Sequence, residues 1–340
     1  MAAASIKDVA SLAGVSVGTV SNVLNRPEVV SDVTRERVEQ AIAKLGFVRN
    51  ESARALRAGR SRTVGMLVLD VANPFFTDVA RGVEEVVTAH HSVLALYNTA
   101  EDPRRETTHL KHLQEQRVQG VLLTPVDLGN AAIRSLVEAG TPVVLVDRSW
   151  PRADHCSVAV DDVHGGGLAA SHLLEQGRER LAFLGGPLST QQVADRYRGA
   201  VAALDGSPDA VLRLVETPAL TVAAGRDAGA ALAALPAERR PTGIICANDL
   251  LALGVLQAMT RAGLRVPDDI ALVGYDDIDY AAAAAVPLSS VRQPRELLGE
   301  TAARLLFEEI GAADGPHQHQ QVVFEPELVV RDSSRTGADA

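Results

Sequence analysis

The chain has 340 residues, 46% hydrophobic, 22% charged and 3% aromatic. That is enough for two or three packed units rich in Ala, Val and Leu, with too few rings for a stacking platform on single-stranded nucleic acid. The net charge is −10, yet residues 1–62 hold ten Lys/Arg against six Asp/Glu, a net of +4 that leaves −14 for the remainder; a basic head on an acidic body suits polyanion contact at one end only.

No apolar run nears the ~20 residues of a membrane span, and Lys7 and Asp8 precede any long apolar run, so no leader peptide is expected. Cys156 and Cys246 lie far apart beside apolar stretches and read as small buried hydrophobes. The expectation is a cytoplasmic, nucleoid-associated protein with no disulfide and no membrane partner.

Ile6, Val9, Ala10 and Ala13 recur at helical spacing, which predicts a short helix over 6–13 ended by Gly14. Ser16 is a candidate N-cap for a second helix over about 17–24, whose buried face is Val20, Val23 and Leu24. Two short helices about a glycine turn form the helix-turn-helix pattern, in which the start of the second helix enters the major groove. Val17, Gly18, Ser21 and Asn22 would face the groove, where an asparagine can pair with adenine and a valine can touch a thymine methyl. Ser16, Thr19, Asn25, Ser31 and Thr34 are short polar groups suited to phosphates. A small helical bundle without DNA contact fits the same periodicity.

Ser31 caps a third helix with Val38, Ala41, Ile42 and Leu45 on one face and Gly46 at its end. Residues 50–59 then form a candidate helix of marginal length, with Ala53 and Leu56 on one face. That face suits a dimer contact, and Leu56 suits an apolar wedge between base pairs; an ordinary linker is the alternative.

Beyond Arg62 the period changes. Apolar runs at 64–69, 93–97, 120–123, 143–146, 181–184, 243–246 and 270–273 alternate with helix-length amphipathic segments. That alternation predicts parallel sheets covered on both faces, and the length accommodates two. Asp70, Asp147, Arg148, Asn248, Asp249 and Asp276 fall just beyond carboxyl ends of these runs, where open parallel sheets bind ligands. Carboxylates, an amide and an arginine suit a neutral polyol, although each Asp alone serves equally well as a helix cap. The glycines 165–167 form no dinucleotide fingerprint and read as the start of a helix packed closely on a sheet. No H-E-x-x-H, G-x-S-x-G or phosphate-loop pattern occurs, and the nine histidines show no metal spacing; His317 and His319 lie in a polar loop expected to face solvent. No catalytic residue, metal or cofactor is assigned.

The residues Ile6-Lys7-Asp8-Val9-Ala10, Ala13-Gly14-Val15-Ser16 and Thr19 through Asn25 resemble the start of the lactose/galactose repressor (LacI/GalR) family. Val30-Ser31, Gly46-Phe47, the 50–56 segment, Asn73-Pro74-Phe75-Phe76, Gly186-Pro187-Leu188, Ala247-Asn248-Asp249, Gly274 to Asp277 and Gln293-Pro294 agree in order, so the resemblance spans about residues 5–332. It implies an all-α helix-turn-helix head, a hinge helix carrying Leu56, and a periplasmic-binding-protein-like core of two doubly wound parallel-sheet subdomains joined by three crossovers. It implies that Arg196 grips an effector and that Asp147, Asn248, Asp276, Phe75, Phe76 and the crossover residue Gln293 line the same cleft. Leu220 stands where several relatives carry a stacking ring, and Gly18 where many carry a long base-reading side chain.

The domain expectations are a head over 1–49, a hinge over 50–60, a core over 61–332 and a polar tail over 333–340. Subdomain one takes about 61–160 and 291–322, and subdomain two takes 161–290 and 323–332. The functional expectation is a regulator, a repressor, that binds double-stranded operator DNA as a homodimer under control of a sugar-like effector. A nucleoside- or metabolite-responsive regulator and a pure sugar receptor are the alternatives. No leucine heptads follow the core, so no coiled-coil tetramerisation device is expected.

Overall fold

The computed structural model describes residues 4–47, 61–312 and 317–335. The chain divides into two compact units at Ser61/Arg62. The expectations for Ala53, Leu56 and the 50–60 hinge fall outside the described residues.

The first unit is built by local signals. Helix α1 (Ile6–Ala13) opens on a capping box in which Ser5 and Asp8 satisfy each other's backbone N–H groups, and it ends on Gly14 at φ 64°. Helix α2 (Val17–Asn25) is capped by the Ser16 side chain, which accepts from the Thr19 N–H. A 3₁₀ turn (Pro27–Val29) leads to α3 (Asp32–Leu45), which ends on Gly46 at φ 58°. Ser31 holds the N-cap position of α3, but its hydroxyl donates to Thr34 Oγ1 (3.0 Å) rather than capping a backbone N–H. Val9, Ala10, Ala13, Val20, Val23, Val38 and Ala41 form the core, and Leu24 is only half-buried.

The second unit holds two six-stranded sheets. The strands of sheet one are β1 (Thr63–Val68), β2 (Val93–Asn98), β3 (Gly120–Leu123), β4 (Val143–Val146), β5 (Ser157–Val160) and β11 (Gln321–Phe324), ordered β11-β5-β4-β3-β1-β2 and all parallel. The strands of sheet two are β6 (Arg180–Gly185), β7 (Val211–Glu216), β8 (Gly243–Cys246), β9 (Ala271–Asp276), β10 (Ser289–Arg292) and β12 (Glu327–Val329), ordered β12-β10-β9-β8-β6-β7, with β12 alone antiparallel. Helices α4 (Pro74–Ala89), α5 (Pro103–Glu115), α6 (Ala131–Glu138) and α12 (Arg295–Gly311) cover sheet one. Helices α7 (Asp162–Glu175), α8 (Gln191–Ala202), α9 (Val222–Ala233) and α10 (Asp249–Arg261) cover sheet two, and a single turn, α11 (Asp279–Ala282), precedes β10.

The chain crosses between the subdomains three times, after β5, β10 and β11, which is the predicted topology. The third crossover is residues 325–326, because β11 continues to Phe324, past the 322/323 boundary expected from sequence. The polar tail also begins later than expected. Ser333 and Ser334 are fully buried: Ser333 Oγ donates to Leu272 O (2.7 Å) and accepts from Ser289 N (2.8 Å), and Ser334 Oγ meets Ser289 Oγ (2.6 Å) and His172 Nε2 (2.7 Å). These hydroxyls satisfy backbone and side-chain groups at the start of β9 and β10 that would otherwise be buried unpaired.

The glycine run lies in α7 as expected, and it touches more than the sheet. A Cβ at Gly165 would strike the Tyr275 hydroxyl on β9, and one at Gly166 would strike the backbone oxygen of Arg196 on α8. Helices α7 and α8 therefore approach at backbone distance. Gly166→Ala should force them apart and lower core stability by ~1–3 kcal/mol, measured as a drop in the thermal unfolding midpoint; an unchanged midpoint would show that the contact yields freely.

Candidate functional site

The cleft of the second unit lies where strand ends of both sheets converge. Its cavity of about 460 Å³ takes Leu69 and Asp70 from beyond β1, Glu101 from beyond β2 and Asp147 from beyond β4. Asn248 follows β8 and Asp276 ends β9. Arg196 and Gln192 enter from α8, and Asn73, Phe75 and Phe76 from the start of α4. The two phenylalanine rings meet edge to face, 5.0 Å apart, and give one apolar wall.

Arg196 organises the polar wall. It is 5% exposed. Its Nε donates to Asp162 Oδ1 (2.7 Å), its NH1 donates to Ala247 O (2.6 Å), and Asp276 Oδ1 lies 3.9 Å from NH1. The guanidinium carbon sits 3.7 Å above the Tyr275 ring. Burial works against the charge, but Asp162 and its neighbours outweigh burial and hold Arg196 protonated.

One guanidinium cannot compensate three buried carboxyls. Burial pushes Asp147 up to about 8, with Asp162 adding repulsion. Burial raises Asp276 to about 6 against the pull of Arg196. Near neutral pH Asp147 is therefore mainly a neutral acid, able to donate as well as accept. Glu101 is raised as well, by burial and then by Asp70.

Two side-chain amides bridge the cleft. Asn73 Nδ2, from subdomain one, donates to Asp276 Oδ2 (3.2 Å), and Gln192 Nε2, from subdomain two, donates to Asp147 O (2.9 Å) and Oδ2 (3.0 Å). Asp147, Asp276 and Asp277 adopt φ of 59°, 100° and 52°. Such backbone is held by its surroundings: Arg295 donates to the carbonyl oxygens of Asp276 and Asp277 while pairing with Asp78 on α4 (2.8 Å).

Seven of the nine effector residues expected from sequence line this cavity: Phe75, Phe76, Asp147, Arg196, Leu220, Asn248 and Asp276. Asn248 is also a helix cap, accepting from Leu251 N (2.9 Å) and donating to Leu220 O (3.1 Å). Arg148 turns into a neighbouring cavity of about 320 Å³ beside Trp150 and Asp195. Gln293 lines a separate cavity at the second crossover and acts on the cleft by donating to Asp276 Oδ1 (2.8 Å). Asp249 turns beneath the site, where Ser290 Oγ (2.7 Å) and Ile278 N (2.9 Å) satisfy it. Sequence reasoning missed Asn73, Gln192 and Asp162, whose partners lie 203, 45 and 34 residues away.

The first unit presents the start of α2 outward. Val17 is 41% exposed, Gly18 and Asn22 are exposed, and Ser21 is half-buried. Arg37 on α3 donates to Ala13 O (2.9 Å) and Gly14 O (3.3 Å), which pins the turn ahead of α2. Among the proposed phosphate groups, Asn25 Nδ2 bonds back to Ser21 O (2.7 Å), and Ser16 pairs with Thr19 (2.9 Å).

Residues 5–50 match the model for bacterial regulatory proteins of the lacI family, and 170–334 match that for a periplasmic binding protein-like domain. The chain is 34% identical over 339 residues to the HTH-type transcriptional repressor PurR of Aliivibrio fischeri, covering 97% of this chain and 98% of the relative. Among solved structures it is similar to a transcriptional regulator CelR–cellobiose complex, with TM-score 0.69, 31% identity and coverage of 97% and 99%. It is also similar to the lac repressor dimer bound to operator and the anti-inducer ONPF, with TM-score 0.82, 27% identity and coverage of 98% and 100%.

The raised Asp147 carries a sign. Its native pKa of about 8 exceeds the ordinary 3.8, so the folded core binds this proton more tightly than the unfolded chain. That stabilisation is complete below pH ~4 and is lost as pH rises through 8. Relative to Asp147→Asn, the native core should lose stability between these limits by up to ~1.4 kcal/mol per pH unit. Denaturant unfolding at several pH values measures the difference, and parallel profiles would refute it.

Proposed function

The chain belongs to the lacI family of bacterial regulatory proteins and is a DNA-binding transcription regulator with an effector-binding core; we propose that it is a repressor controlled by an uncharged polyhydroxylated effector, a sugar or sugar derivative, held around Arg196. The observation that carries this reading is the charge balance of the cleft. Asp70, Glu101, Asp147 and Asp276 all line it, and its guanidinium is already paired with Asp162. A phosphorylated ligand would meet four carboxyls and one guanidinium that is already paired. Hydroxyl groups would find both donors and acceptors there, with Phe75 and Phe76 against an apolar face. Leu220 supplies aliphatic contact where a ring would stack. The cellobiose held by the CelR regulator is consistent with this class of ligand.

Two copies place two heads on a two-fold symmetric operator; the lac repressor, too, is bound to operator as a dimer. Val17 and Asn22 read base edges, while Ser16, Thr19, Ser31 and Thr34 contact phosphates. The effector acts only through its different affinity for the operator-gripping and releasing arrangements of the core.

A thermal-shift screen of the full chain should give stabilisation by sugars or polyols and none by their phosphate esters. Stabilisation by phosphate esters or nucleosides alone would overturn the effector class. With a hit in hand, Arg196→Lys and Gln192→Ala should each weaken effector binding while operator binding in a mobility-shift assay persists. Asn22→Ala should do the reverse, lowering operator affinity by roughly 10–100-fold with the effector-induced thermal shift intact.

A further inference from the structure

Far from the cleft, at the opposite end of sheet one, four ligand-type side chains converge. Cys156 immediately precedes β5, and His317 and His319 precede β11, its parallel neighbour, where Ser157 faces Gln321. Glu309 reaches the same point from the last turns of α12. One ligand atom from each residue lies within 4.8 Å of all the others. Cys156 is fully buried, and the two histidines, expected in a solvent-facing loop, are half-buried against it.

Cys156 Sγ lies 3.2 Å from His317 Nε2 and 3.7 Å from His319 Nδ1. In a tetrahedral zinc site with Zn–S ~2.3 Å and Zn–N ~2.0 Å, sulfur and nitrogen sit ~3.5 Å apart, and the two distances bracket that edge. Two further observations point to a cation. Glu309 Oε2 is buried and has no hydrogen-bond partner among the described residues. The Gln320 N–H points at Cys156 Sγ (3.4 Å), a backbone bond of the kind that supports a metal-bound sulfur. The donor set of one thiolate, two imidazoles and one carboxylate is borderline-soft, as zinc prefers.

We propose that Cys156, Glu309, His317 and His319 form a tetrahedral site for a zinc-class divalent cation. Four protein ligands close the coordination sphere, so the ion would be structural. It would fasten the 317–320 segment to β5 and α12, just ahead of the strand that leads into the third crossover. Binding releases the thiol proton to solvent and leaves the ion's charge met by thiolate and carboxylate.

Full-length protein, stripped with a chelator and titrated with zinc chloride, should take up one ion per chain and melt ~5 °C higher with zinc in excess. Cobalt(II) in its place should give intense tetrahedral visible bands and a thiolate-to-metal charge-transfer band. Cys156→Ser should abolish the charge-transfer band, and Glu309→Gln, which keeps side-chain volume on an intact helix, should weaken uptake. No uptake by the native chain, cobalt uptake without the thiolate band, or zinc binding unchanged in both variants would each overturn the site.

Discussion

The buried guanidinium of Arg196 is the constraint around which the core is arranged. A charge removed from water is tolerated only where partners surround it. Here they come from four places: Asp162 at the start of α7, Ala247 beyond β8, Asp276 at the end of β9 and the ring of Tyr275 beneath. Holding these together fixes how α8 lies against α7, and Gly166 and Gly199 permit the approach. The same charge is too small for the carboxyls it serves, so Asp147 stays mainly protonated and available as a donor, while both oxygens of Asp276 accept from side-chain amides.

The head is a separate construction with a different logic. Its elements are specified by contacts three or four residues apart: the Ser5/Asp8 box, the Ser16 cap and the left-handed glycines 14 and 46. Little of it depends on distant sequence beyond the small core and the Arg37 clamp on the turn. A unit that folds on local signals can be joined to a larger body without its helices depending on that body.

This difference explains what the sequence made legible. The head helices were readable almost to the residue, because caps and periodicity are local. The seven long apolar runs all became strands. The strands overlooked were short or lay on sheet edges: β5 and β10–β12 have three or four residues, and β7 alternates in exposure. Asp70, Asp147, Asn248 and Asp276 were found because strand ends are visible in the sequence, and Phe75, Phe76, Arg196 and Leu220 because of the family resemblance. Asn73 and Gln192 were not, because their importance lies in bonds made only after the two subdomains face each other. The buried Ser333 and Ser334, and the meeting of Cys156 with His317 and His319, escaped for the same reason: polarity along the chain does not reveal what the fold later covers.

The side-chain bonds across the cleft have a consequence for the resting balance of the regulator. Asn73–Asp276 and Gln192–Asp147 are made by protein alone, so they favour the closed arrangement whether or not an effector is bound. Apparent affinity scales with the fraction of molecules already competent to bind. These two amides therefore act as a preset gain control. Strengthening them would let the regulator respond at lower effector concentration and leave more of it switched without ligand. Weakening them would demand more ligand. The sensitivity of the switch can drift through Asn73 and Gln192 while Arg196 and the groups that meet the DNA stay as they are.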